Sequence, residues 1–247
     1  MEKNVTKIDP LSSLFYQLED VYRKRQDCMK PRVAITNQIK AIIRRMKATN
    51  FSEDIIKTHI NNVKKGVVIS ETEKTYEKQM IKIGKQLPLH DWYCQYEGCS
   101  DIGFCLLMAE IGNLSNYANP AKVWKRMGLS VNGGRADKND TKGQNTGYSK
   151  RRRMIAHIIS SAIIKKHGHY REVYDQRKSY EIERDQKGES LAYIEANRSK
   201  MITQFQSPDN KKLIKNNQLP KSVIDLRAQR YMIKKLLCDM WVEWNKN

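Results

Sequence analysis

Lys150-Arg151-Arg152-Arg153 is the densest group of chemically active side chains in the sequence. Ser149 stands just before it. Met154, Ile155, Ile158, Ile159, Ala162 and Ile163 follow at three- and four-residue steps. That spacing predicts a helix from Ser149 to about Lys166, with the serine hydroxyl as its cap. Four cations in the first turn of a helix oppose its dipole. An anion relieves that opposition, because the free amides at a helix start also attract one, and phosphate suits both. Such contacts hold and orient a nucleic acid without reading its sequence.

The surrounding charge points the same way. Residues 121 to 178 hold fifteen Lys and Arg against four Asp and Glu. Lys122, Lys125, Arg126, Arg135, Lys138, Lys142, Lys165 and Lys166 belong to this group with the Lys150–Arg153 run. More than half of the net charge of +19 thus falls in under a quarter of the 247 residues. A single basic helix face needs no ligand, but this concentration is the footprint of phosphate contact.

His90, Cys94 and Cys99 bring a nitrogen and two sulfurs close together in sequence. Zinc fingers pair their cysteines as CxxC, and here no such pair and no second pair occur. No metal and no cofactor are therefore expected. The five cysteines, Cys28, Cys94, Cys99, Cys105 and Cys238, are odd in number and scattered, as reduced thiols are. His167-Gly168-His169 reads as a helix end with Gly168 as its C-cap.

The elements that must position these residues are all helical, so an all-α fold is expected. Residues 11 to 48 carry Leu11, Leu14, Phe15, Leu18, Val21 and Tyr22, then Val33, Ile35, Ile39, Ile42, Ile43 and Met46. Pro31 should break or kink this run, since it lacks an N–H and clashes with the preceding turn. Arg23, Lys24, Arg25, Lys40, Arg44, Arg45 and Lys47 give it a basic outer face. A second helix starts near Ser52, and Ser70-Glu71-Thr72-Glu73 forms a capping box for a third. Pro88 closes this helical basic arm, residues 1–87.

Residues 88–187 follow as the binding domain. A small-residue turn with Gly98 and Ser100 feeds a helix ending at Gly112, and Asn119-Pro120 starts another ending at Gly128. Helices joined by glycine turns offer backbone amides to phosphate. Residues 129 to 147 read as loop, and a further helix covers about 170 to 186. Residues 188–247 read as a helix near 190 to 204, a linker around Gln206-Ser-Pro-Asp-Asn-Lys-Lys212, and a docked last helix. That helix carries the apolar stripe Leu226, Met232, Ile233, Leu236, Leu237, Met240, Trp241 and Trp244. No strand is expected.

Mean hydropathy is −0.73 and the pI about 9.7. No apolar run nears the roughly 20 residues of a spanning helix, and the first ten residues lack the apolar core of a signal peptide. These features predict a soluble cytoplasmic, nucleoid-associated protein with no membrane partner.

The run from Gly98 through Ala109-Glu110-Ile111-Gly112, Trp124 and Gly128-Leu129 to Gly147-Tyr-Ser-Lys-Arg-Arg-Arg153 resembles a known domain. It is similar to the C-terminal, helix-hairpin-helix domain of the insertion-sequence transposases typed by IS-110, IS-116 and IS-902, which use a bridge RNA. The similarity covers roughly residues 87 to 180, with weaker support to 244. It implies DNA binding through the hairpin, loop and basic helix, with Gly98 and Ser100 in the hairpin. The family also carries a RuvC-like domain with four acidic metal ligands, and no segment here resembles it. Its serine nucleophile directly precedes a glycine. Here Asn132 precedes Gly133, and Ser130 is the nearest candidate.

These readings predict an accessory protein, domesticated or phage-borne, that binds DNA or else structured RNA. Two other expectations stand beside it. One is a recombinase subunit in which Ser130 attacks DNA and another chain supplies the metal site. The other is a structural component of a ribonucleoprotein or phage assembly. The N-terminal helices suit a homodimer as well as packing within one chain.

Overall fold

A computed structural model describes residues 9–49, 51–66, 71–132, 135–136 and 148–246. The chain divides into two compact units, Met1–Leu87 and Pro88–Asn247. Among the described residues no helix is long and apolar enough to cross a membrane.

The first unit is built on α1, Pro10–Ala48. Pro10 occupies its first turn, and the Asp9 carboxylate accepts the Ser12 amide at 3.0 Å. The helix is not broken at Pro31 but runs on through it. Proline costs one backbone bond and a local clash, and tertiary anchors on both sides offset them. Those anchors reach α3, Glu71–Gly84, which packs along α1. Arg32 donates Nε to buried Glu73 at 3.0 Å, and Arg25 donates Nη2 to Glu77 at 2.6 Å. Leu18, Tyr22 and Met80 are buried in this unit. The basic outer face is thus partly neutralised, since Arg23 and Lys24 also pair with Glu19 and Asp20 one turn earlier. Val33, Ile35 and Ile42 are exposed. Between α1 and α3 lies α2, Glu53–Gly66, with Glu53 and Asp54 in its first turn. Ser70 of the expected capping box lies outside the described residues.

The second unit begins with α4, His90–Cys94, and α5, Asp101–Ile111. A 3-10 turn at Leu114–Asn116 leads to α6, Pro120–Arg126, with Asn119 as cap. Two short strands follow, β1 at Val131–Asn132 and β2 at Arg135–Ala136, paired antiparallel. They correct the expectation of a loop without regular elements. Asn132-Gly133-Gly134 has hairpin-turn composition, a signal that the glycine count masked. Next come α7, Lys150–Ile163, and α8, His169–Gln186. Gly168 is the N-cap of α8, not the C-cap of α7.

The expected linker is folded. After α9, Leu191–Gln204, comes α10, Pro208–Lys215. The Ser207 hydroxyl accepts the Asn210 amide at 3.3 Å. Serine, then proline at the first helical position, then an acid is a helix start rather than a linker. Ile194, Met201, Ile214, Leu219 and Ile224 form a small core beneath it.

The last helix, α11, Lys221–Trp244, packs on α6, α7 and α8. Its buried stripe is Ile224, Ala228, Met232, Ile233, Leu236, Leu237 and Met240. Leu226 does not join it and is exposed, because two residues along a helix rotate a side chain by about 200°. For the same reason α7 buries Ile155, Ala156, Ile159 and Ile163 and exposes Met154 and Ile158.

Candidate nucleic-acid interface

Helix α5 is almost wholly apolar, and Glu110 near its end is buried with it. A carboxylate removed from water must be paired. Arg151 brings Nε to 2.7 Å from one Glu110 oxygen, and Arg152 brings Nε to 3.0 Å from the other. Arg126 donates Nε to the Glu110 carbonyl at 2.9 Å. One buried residue thus gathers three of the predicted phosphate ligands. The dipole conflict at the start of α7 is relieved from inside the protein, so Arg151 and Arg152 need no phosphate to be stable. Glu181 repeats the device on α8, with Arg177, Arg184 and Arg227 around its buried carboxylate.

Gly98 and Ser100 also have structural work. Gly98 has φ +83°, and a Cβ there would lie 2.7 Å from the Ile163 Cα. The turn between α4 and α5 therefore presses against the end of α7. Ser100 caps α5 by accepting the Gly103 amide at 3.2 Å. Gly98→Ala should destabilise the ligand-free protein by about 2 kcal/mol, the usual cost of strained positive-φ backbone. Urea unfolding checks this. Unchanged stability with weakened nucleic-acid binding would instead give Gly98 a direct phosphate role.

The remaining predicted ligands are spread out. Lys122 and Lys125 are exposed on α6, Lys150 at the start of α7, and Lys165 and Lys166 beyond its end. Arg135 lies in β2. Lys138 and Lys142 lie outside the described residues. Ser130 is half-buried immediately before β1. Burial pushes the Cys99 thiol up to about 11, which disfavours its thiolate. His90 and Cys94 do come together, but with Asp101 rather than Cys99 as the third member.

Sequence reasoning missed a groove between α7 and α11. Its cavity is about 260 Å³, with Leu129, Leu226 and Ile233 among its apolar lining and Arg153, His157 and Arg230 among its polar lining. Arg153 donates Nε to the Gly128 carbonyl at 2.7 Å, and its guanidinium lies 4.3 Å from the Tyr148 ring centre. Arg230 enters half-buried from α11. Burial, then the nearby charges of Arg153 and Arg227, pull its guanidinium below the ordinary arginine value. One turn on, burial and Arg230 pull Lys234 down in the same way. Lys234 rests its ammonium 5.0 Å from the Trp124 ring centre, while the Trp124 indole N–H donates to the Lys234 carbonyl at 3.0 Å. Among the described residues, no carboxylate lies within ion-pair distance of Arg230 or Lys234. The available signal was the three- and four-residue spacing of Arg227, Arg230 and Lys234 on a helix read only for its apolar stripe.

No protein-family model, curated protein or solved structure matches the chain.

Glu110 and Gly128 meet the start of α7, while Trp124 ties α6 to α11. Glu110 holds Arg151 and Arg152, Gly128 accepts Arg153, and Trp124 is tied to α11. The arrangement joins α5, α6, α7 and α11.

Proposed function

We propose that the chain binds nucleic acid through the groove between α7 and α11, with DNA as the main partner and structured RNA as a second. The observation that carries this reading is Arg230, half-buried beside Arg153 and Arg227 in an open groove with no carboxylate partner among the described residues. Like charges held together under partial burial cost stability, and a phosphate repays that cost with charge-assisted bonds. Lys122, Lys150, Lys165 and Lys166 are exposed and would contact phosphates outside the groove. The similarity of residues 98 to 153 to the bridge-RNA transposases supports the same reading, with an accessory rather than catalytic role.

The test is binding to labelled duplex DNA, single strand and structured RNA across a salt series, with the same samples run on a denaturing gel. Salt-sensitive binding without a covalent band is expected, with a duplex slope of about −0.9 per phosphate contact. A covalent band lost in Ser130→Ala would make the chain a recombinase subunit. Absence of binding to all three would overturn the reading. Co-purification with a protein that survives nuclease and high salt would then favour an assembly component.

A further inference from the structure

We propose that His90, Cys94 and Asp101 form a binding site for a zinc-class divalent cation. His90 opens α4 and Cys94 closes it, so the two side chains lie four residues apart on one helix face. The following turn brings Asp101, the first residue of α5, back against them. His90 Nε2 lies 2.9 Å from Asp101 Oδ1 and 3.5 Å from Cys94 Sγ. The Cys94 sulfur lies 3.6 Å from the same Asp101 oxygen. Tetrahedral zinc with ordinary bonds to N, O and S sets its ligand atoms about 3.3–3.6 Å apart. The observed triangle is close to that and needs only a small opening of its His–Asp edge.

The hydrogen bonds are also compatible with a cation. Asp91 Oδ1 lies 2.9 Å from His90 Nδ1. A neutral imidazole has one N–H, and giving it to Asp91 leaves the Nε2 lone pair facing an oxygen and a sulfur. With a proton on Nε2, the imidazole and the Cys94 thiol would both donate to the one Asp101 oxygen; a metal ion would instead take a lone pair from each of the three atoms. The ring is buried and held edge-on against Phe104, at 5.4 Å between centres. A carboxylate on the far nitrogen of a ligating histidine is the usual outer support of such sites. Imidazole, thiolate and carboxylate together select zinc over magnesium or calcium. Three protein ligands leave the fourth position to water. The bound ion ties α4 to the start of α5 and closes the turn that carries Gly98.

Metal analysis of the full chain, purified from zinc-supplemented medium, should find about one zinc per chain. After chelator treatment, cobalt should bind one equivalent and give a thiolate-to-metal charge-transfer band that zinc displaces. Cys94→Ser should lose the band and Cys99→Ser keep it. Asp91→Asn should keep the band with roughly 10- to 100-fold weaker affinity, the usual effect of removing an outer-shell partner. Wild-type chain that carries no zinc and gives no band would overturn the proposal, as would a band that survives Cys94→Ser or needs Cys99. The zinc content of the wild-type chain decides the matter if Cys94→Ser fails to fold. None of these readouts depends on nucleic acid.

Discussion

Arg230→Met is expected to bind duplex DNA more weakly than the parent chain and to unfold at a higher temperature. The two effects have one cause. Arg230 is a half-buried cation pressed by Arg153 and Arg227, and burial and repulsion both disfavour its charge. Methionine has a similar reach and removes that penalty. Replacing fully buried charges with apolar side chains is often neutral or stabilising by 1–4 kcal/mol. Partial exposure reduces this to about 1 kcal/mol, or about 2–4 °C in Tm for a chain of this size. In the complex the same substitution deletes a charge-assisted phosphate contact. Affinity should fall on the order of tenfold or more, and the slope of log affinity against log salt should flatten by about 0.9. Thermal unfolding and fluorescence anisotropy measure the two. A variant that loses stability and keeps its salt slope would make Arg230 an ordinary structural residue.

Glu110→Ala is expected to cost about 3 kcal/mol of stability, since removing one member of a buried ion pair strands the others. The Glu110 side chain is 3% exposed and that of Arg152 20%, so neither is readily rehydrated without movement. The melting temperature should fall by roughly 6–12 °C. Glu110→Gln, which keeps the shape and one acceptor, should cost less. At temperatures where Glu110→Ala remains folded, its salt slope should match or exceed that of the parent, because two guanidiniums are released toward solvent. Stability unchanged in Glu110→Ala would mean that this carboxylate does not hold the start of α7.

The helices were legible because their signals are local. Ser149 caps α7, Asn119 and Pro120 start α6, and Gly112 follows α5, each where the sequence placed it. The misses are non-local. Pro31 carries a genuine local penalty, but its helix is clasped from both sides by ion pairs to α3, 41 and 52 positions away. Glu110 looks like part of an apolar turn until α7 arrives against it. The core under α9 and α10 is made of isolated apolar residues too widely spaced to register as a stripe, and Ser207-Pro208 can be read as a turn as well as a cap.

The site was legible in part. Of the basic run at residues 150–153, Arg153 lines the candidate groove, and counting charge by position cannot distinguish it from cations held by buried glutamates. Arg151, Arg152 and Arg126 are drawn to Glu110, and Arg230 lies outside the densest stretch because its groove needs two helices far apart in sequence. Asp101 escaped notice as a ligand because an acid in the first turn of a helix already has a local explanation.

Amine footprinting of the full chain, with and without saturating duplex DNA, tests the binding groove most directly. Each lysine is acetylated under limiting reagent and read by mass spectrometry. Lys150 at the start of α7 and Lys234 on α11 should be protected by DNA, while Lys211, Lys212 and Lys215 on α10 should react as in the free protein. Equal labelling of Lys150 and Lys234 with and without bound DNA, or protection confined to α10, would contradict binding at the groove between α7 and α11.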